Sequence, residues 1–368
     1  MSNKPVGVGL IGCGDIAPTH AKALQQTKNA KLVACMDVVE ASAKSLGEEY
    51  GVPWTTKLEE LLARPEVELV TIATPAFTHL SLTEQAAKAA KAVLCEKPIA
   101  ANLKDADGMI AACKQAGVPL STCFPLRYLG AAKWAKELIS SGALGEVIEI
   151  RLRNMGEKKD SYWVGGFSGR TVDEWRKSRE KSGGGIVITN LIHHIDLARA
   201  VTGLEAVRAY CEMGTFTTPV EVEDVAVASL RYSNQAIGLV EGSSCFLGRT
   251  PEPDMVFLGK KGQIRFGLWA GSAEAYLTRA SDPLDRGLSP KAAAGLPAAE
   301  WTKKEFQDAT HVEFYDHLAA ALRGGRTPPV TGEDGRAALE VVLAIYQAAE
   351  RGEPVGLPLL ARRSSGAT

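Results

Sequence analysis

The strongest constraint lies at the start of the chain. The apolar run Val6-Gly7-Val8-Gly9-Leu10-Ile11 leads directly into Gly12-Cys13-Gly14-Asp15-Ile16-Ala17, and a helix-like stretch follows to about residue 26. A strand, a glycine turn and a helix in this order predict a parallel α/β sheet, because parallel neighbours need a crossover helix between them. The rhythm then repeats. Residues 31–36, 69–73, 92–95 and 119–123 read as further strands, separated by helical stretches near 40–50, 78–88 and 103–115. Continuous apolar strands alternating with helices predict a doubly wound Rossmann-type sheet covered on both faces.

Beyond residue 124 the pattern changes. A helix over 131–140 precedes alternating runs at 147–153, 207–212, 225–232, 236–243 and 255–259. Turn signals at 232–234 and 259–262 point to a large open sheet, mostly antiparallel. The charged, glycine-bearing stretch 156–182 reads as a long loop, and two late helices over 312–322 and 335–350 close the fold. The expected division is a nucleotide-binding domain at 1–124 and a substrate-binding and oligomerisation α+β domain at 125–361. A disordered tail is expected at 362–368.

Composition narrows the classes. The chain has 368 residues, of which 45% are hydrophobic and 23% charged, as in an ordinary soluble two-domain protein. With 42 Lys+Arg against 43 Asp+Glu, a broad nucleic-acid-binding face has no support. No apolar run approaches the ~18 residues of a membrane helix, and none has the form of a secretory signal. The 7 Cys form no CxxC pair and no Cys/His cluster with zinc spacing. Reduced thiols in a cytoplasmic protein without a metal site are the expectation.

The glycine motif carries the first functional reading. Gly12 permits the tight turn, Gly14 lets the backbone approach a pyrophosphate, and Ala17 allows close helix–strand packing. Asp15 and Ile16 lie at the helix N-terminus, where free N–H groups and the dipole favour phosphate. Asp37 ends the second strand, roughly 20 residues past the glycines, where an acid binds ribose hydroxyls. Val38 and Val39 follow with no adjacent Arg, which favours NAD over NADP. The alternative role for Asp37 is a helix cap. Thr74, Pro75 and His79 follow strand three, and Glu96-Lys97-Pro98 follows strand four. Both segments lie at the carboxyl ends of the strands, where open sheets bind ligands.

In order and spacing these motifs resemble the Gfo/Idh/MocA oxidoreductases (glucose–fructose oxidoreductase, inositol dehydrogenase and relatives). The resemblance continues through Arg127, residues 137–145, Gly183-Gly184-Gly185 with His193 and Asp196, and residues 328–335. It implies a Rossmann domain followed by an open sheet that forms a homodimer or homotetramer. It also implies hydride transfer between a nicotinamide and a secondary hydroxyl of a sugar, glycoside or cyclitol. Lys97 and His193 are then the catalytic pair. A neutral His, with an ordinary pKa near ~6.5, suits the acid/base role, and Lys97 suits stabilisation of an alkoxide. Substrate-binding candidates are Thr189, Asn190 and His193 on one helix, and Tyr162, Trp163 and Arg176 in the long loop. Arg127 is a further candidate, with an interdomain ion pair as its alternative. The chain departs from the family's commoner pattern at Thr189, where an Asp usually stands. Two other activities stay open: a glycosidase that retains NAD and uses transient oxidation, and a non-catalytic NAD-binding sensor.

Overall fold

A computed structural model describes residues 4–170, 174–248, 252–278 and 301–359. The tail at 362–368 lies outside the described residues. The first sheet is six-stranded, in the order β3-β2-β1-β4-β5-β6. Its strands are β1 (Val6–Ile11), β2 (Ala30–Met36), β3 (Trp54–Thr55), β4 (Leu69–Ile72), β5 (Ala92–Cys95) and β6 (Leu120–Thr122), and all pairs are parallel. Every residue of β1, β4, β5 and β6 is buried, which is why they read as unbroken apolar runs.

The helices α1 (Ala17–Gln26), α2 (Glu40–Tyr50), α3 (Leu58–Leu62), α4 (His79–Lys88) and α5 (Leu103–Ala116) connect these strands. Local chemistry sets their ends. Pro18 starts α1, the Asn102 side chain caps α5, and left-handed Gly51 and Gly117 end α2 and α5. The sequence reading missed β3 and α3, which are too short to show a period.

The second sheet is nine-stranded, in the order β14-β13-β12-β11-β7-β10-β9-β8-β15. It comprises β7 (Val147–Met155), β8 (Ala206–Gly214), β9 (Val225–Tyr232), β10 (Ile237–Ser243), β11 (Met255–Gly259), β12 (Gly262–Phe266), β13 (Ser272–Leu277), β14 (Trp301–Glu305) and β15 (Val355–Gly356). All pairings are antiparallel except β7 with β10. Burial alternates along β9 and β11, so one face is covered and the other faces outward. The covered face packs under α6 (Gly130–Ser140) and α9 (Ile192–Thr202).

Segment 156–182 departs from the loop expectation. It holds α7 (Asp160–Gly165), a 3-10 turn over Trp175–Lys177, and α8 (Arg179–Ser182). Tyr162 and Trp163 are buried against Val222, so apolar packing organises the segment. The last helices, α10 (Thr310–Arg323) and α11 (Gly332–Arg351), cross back to the first sheet. From α10, Tyr315 bonds Thr71 on β4 and His20 on α1. α11 opens with a capping box between Thr331 and Asp334 and packs against α5 and β6.

Candidate active site

The glycine turn follows β1 as the sequence pattern requires. Gly12 has φ +93°, and a Cβ there would lie 2.7 Å from the Ala73 carbonyl oxygen and 2.8 Å from Thr74 Cγ2. Only glycine lets the ends of β1 and β4 approach this closely. The Asp37 carboxylate accepts the Cys13 N–H at 2.7 Å and the Val39 N–H at 2.8 Å. It thus pins the glycine turn to β2 and also steadies the start of α2. Each oxygen keeps a lone pair for a ribose hydroxyl. This turn, the start of α1 and Asp37 fit a dinucleotide: backbone N–H groups meet phosphate and the carboxylate meets ribose.

Thr74 and Pro75 lead into a 3-10 turn and then α4. His79 is buried, with its ring nitrogens 2.9 Å from the Thr74 carbonyl and 3.1 Å from the Ile99 carbonyl. Burial lowers its pKa against the pull of these two oxygens. It ties the Thr74 loop to the Glu96-Lys97-Pro98 loop, which makes it a brace between the two segments.

Glu96 and Lys97 leave the end of β5 in different directions. The Glu96 carboxylate takes His20 Nε2 at 3.0 Å and the Lys97 backbone N–H at 3.1 Å. Burial acts to raise its pKa, yet His20 and Lys97 together hold it well below the usual carboxylate range. His20, Glu96 and the Cys123 thiol place ligand-type atoms within 4.8 Å of one another. Sequence spacing gave no hint of this cluster. Both His20 nitrogens are already used, by Glu96 and by Tyr315, so it is a hydrogen-bonded relay behind Lys97.

Lys97 Nζ donates to the Thr189 carbonyl at 2.7 Å. Thr189 lies in a π-helical turn over Val187–Leu191, directly before α9, where the Ile192 N–H reaches back to Val187. Such wide turns concentrate at functional sites. The expectation of an ordinary helix from Ile186 is corrected here, and with it the regular spacing of Thr189, Asn190 and His193. The amides that lead into this turn are capped from across the fold: Gly185 and Val187 donate N–H bonds of 2.7 and 3.0 Å to buried Glu223, and Ile188 donates to the Tyr346 hydroxyl. Glu223 was not foreseen; it reads as one more acid in the run Glu221-Val222-Glu223-Asp224.

His193 is half-buried, and its Nδ1 has no hydrogen-bond partner among the described residues. Burial, then the neighbouring Lys97 charge, push its pKa well below 6.5, so the ring is neutral near pH 7. His194 is fully buried and Asp196 accepts both arms of Arg127, at 2.8 and 2.6 Å. Arg127 also pairs with Asp334 at 3.2 Å. The structure places Arg127 in an ion-pair cluster with Asp196 and Asp334, the alternative role expected for it.

Lys158 lies just past β7 and was absent from the sequence-based candidates. Its Nζ donates to Asn190 Oδ1 at 2.6 Å and lies 3.4 Å from Thr189 Oγ1. It sits 4.5 Å from the Tyr162 ring centre and 5.6 Å from that of Trp163. Burial, with Lys97 and Arg176, pushes its pKa down to about 7. No motif in the sequence marks this lysine.

Residues 160–170 form a strap from this lysine to the glycine turn. Asp15 accepts the N–H groups of Phe167 and Ser168, both at 2.6 Å, and the Ser168 hydroxyl. Arg176 approaches the same carboxylate at 3.3 Å, and Arg170 reaches Glu49 on α2 at 2.8 Å. A surface groove of about 540 Å³, lined by residues including Asn102, Arg179, Tyr346 and Glu350, contains none of these groups.

The glycine turn fits a dinucleotide, and from the same wall Lys97 reaches the π-helical turn that leads to His193. Residues 6–124 match the model of the Gfo/Idh/MocA oxidoreductase family, NAD-binding Rossmann fold. Residues 136–357 match that family's C-terminal alpha/beta domain. The chain belongs to this family, and NAD is its cofactor. It is 29% identical to the myo-inositol 2-dehydrogenase of Thermotoga maritima, over 95% of this chain and 98% of that protein. It is 28% identical to the D-apiose dehydrogenase of Paraburkholderia graminis, over 97% and 93%. The WlbA dehydrogenase of Bordetella pertussis, solved with NADH and UDP-GlcNAcA, superposes with a TM-score of 0.80. It is 25% identical, with 97% of this chain and all of that one covered. No helix among the described residues is long and apolar enough to cross a membrane.

Proposed function

We propose that the protein oxidises or reduces a single CH–OH carbon of a sugar, glycoside or cyclitol, with NAD exchanging the hydride. The observation that carries this reading is a half-buried, neutral His193 under the charge of Lys97, whose Nζ is held by the carbonyl of Thr189 on the turn that leads to His193. His193 takes the hydroxyl proton, because a neutral ring at this position has a lone pair to offer. Burial lowers the pKa of Lys97 and the Glu96 charge opposes that shift; as the cation, Lys97 holds the oxygen as negative charge develops. The Thr189 carbonyl and Glu96 fix the lysine from two sides, so little reorganisation is needed as the reaction proceeds.

Gly12, Gly14, Asp15, Ile16 and Asp37 would hold the pyrophosphate and adenosine ribose of NAD. Thr74, Pro75, His79, Glu96 and Lys97 would line its nicotinamide end. NAD supplies the hydride acceptor. Asn190, Thr189, Tyr162 and Trp163 would frame the substrate, and Arg176 would fasten the strap. Within this reading the chain divides near residue 124: β6 ends at Thr122, and Arg127 already pairs with Asp196. The outward face of the second sheet, with exposed Val227 and Ile237, is the proposed dimer or tetramer surface. Gel filtration with light scattering tests it.

The activity test is NADH formation across a panel of sugars, glycosides and inositols. Turnover of one substrate class, with kcat reduced about 10³-fold in Lys97→Met and in His193→Ala, is the expected outcome. Cleavage of a glycoside without net NADH would replace this reading with the redox-assisted glycosidase.

A further inference from the structure

The reaction above needs one ammonium, yet the centre holds two. Lys158 Nζ is held by the Asn190 amide oxygen, the Thr189 hydroxyl and two aromatic rings, none of which carries a charge. Lys97 reaches the carbonyl of the same Thr189. Arg176 adds a third cation, and its Nη1 is buried without a partner among the described residues.

The nearby carboxylates are already engaged. Glu96 holds His20 and the Lys97 N–H. Glu223 holds the Gly185 and Val187 amides and the Tyr346 hydroxyl. Asp15 holds the strap and Arg176. A buried charge without an anion is unstable, and a lysine used only to pack Tyr162 and Trp163 would be better replaced by an apolar side chain. The cofactor phosphates belong at the glycine turn and do not neutralise a lysine held on the π-helical turn.

We propose that the substrate is a sugar acid whose carboxylate takes Lys158 as its counter-ion, next to the carbon that Lys97 and His193 handle. This rests on the dehydrogenase reading and names its substrate class. Binding would exchange the Asn190 and Thr189 contacts of Lys158 for a charge-assisted bond to the carboxylate. The groups facing Lys158 are Lys97, Arg176, Glu223 and the ring of Tyr162. The two cations oppose its proton and Glu223 favours it, and an incoming carboxylate favours it further.

The test uses the full chain with NAD and matched pairs: glucose with glucuronate, galactose with galacturonate, and each aldose 6-phosphate. The wild type is expected to prefer the acid by at least tenfold in kcat/KM. Lys158→Met should lower that acid-to-neutral preference about 100-fold, mainly through KM, and Lys158→Arg should restore part of it. KM for the acid should rise as pH rises through about 7. Far-UV circular dichroism confirms folding of both variants. Oxidation of neutral sugars but not acids overturns the proposal and leaves the dehydrogenase reading standing. An unchanged preference in Lys158→Met, or a preference for phosphates alone, overturns it as well. NADH from no member of the panel overturns both readings together.

Discussion

The two walls of the active site are built in different ways. The nucleotide wall comes from the ends of adjacent parallel strands, and its working groups fall in short runs: 12–17, 37, 74–79 and 96–97. Much of it is backbone, positioned by sheet geometry and by a glycine that nothing larger can replace. The substrate wall is drawn from the end of β7, the strap, a 3-10 turn and a π-helical turn. These are held together by side chains far apart in sequence, Glu223 and Asp15 above all. The first wall is local and rigid. The second is a set of long-range contacts, and it is where relatives with the same fold can differ in substrate.

If that contrast holds, the largest effect on cofactor binding should come from the backbone of the first wall. Gly12→Ala forces a side chain against the Ala73 carbonyl at an unfavourable φ. NAD affinity measured by calorimetry should fall at least 100-fold. Affinity within threefold of wild type would show that the turn is more plastic than described.

A smaller effect should come from the point where the walls meet. Asp15→Asn leaves one acceptor oxygen where the two strap amides used two, sets an NH2 donor against the other amide, and loses the pairing with Arg176. Gly166→Ala attacks the same joint, since a Cβ there would overlap the Asp15 carboxylate. In both variants the strap loosens, and stopped-flow displacement should show NADH leaving about tenfold faster. Unchanged release would make the strap a fixed part of the second wall and remove it from cofactor retention.

The substrate wall can also be read by pH. His193 is pushed well below 6.5 by burial and by Lys97, and its neutral form is the active base. The base is therefore in its active form above its folded pKa and is lost only below it. The profile of kcat/KM for a neutral alcohol, which makes no use of the Lys158 charge, should stay level as pH falls through ~6.5 and decline at lower pH. A decline centred at or above ~6.5 would mean that His193 is not the base or is not desolvated.

The contrast also explains what could be read in the sequence. Five of the six strands of the first sheet, its glycine turn, Asp37 and the Lys97 loop leave periodic or spaced marks, because each is set by residues within a few positions. Family resemblance located His193. Lys158 and Glu223 left no such mark, since their roles arise from partners such as Asn190 and Gly185 across the fold. Arg127 shows the same dependence on distant partners: Asp196 and Asp334, from two separate helical segments, both converge on it. The π-helical turn was equally hidden, since nothing in the composition of residues 186–191 marks it.

The smallest expected effect separates the walls by stability. A lysine kept in the second wall for binding should weaken the folded state. Lys158 is lowered to about 7 from 10.5, first by burial and then by Lys97 and Arg176. Between those values the unfolded chain binds more protons than the folded one, so wild-type stability rises with pH across that window. At pH 7 and below the folded protein carries the full penalty of the buried ammonium. Lys158→Met removes the charge and keeps most of the volume, so Tm should rise, on the order of 2 °C at pH 6.5. The gain should shrink toward pH 10, where the wild-type lysine is neutral when folded. Scanning calorimetry at both pH values checks this. A loss of Tm at pH 6.5, or a gain independent of pH, would show that Lys158 is already neutralised within the fold, and the second wall would then be as self-sufficient as the first.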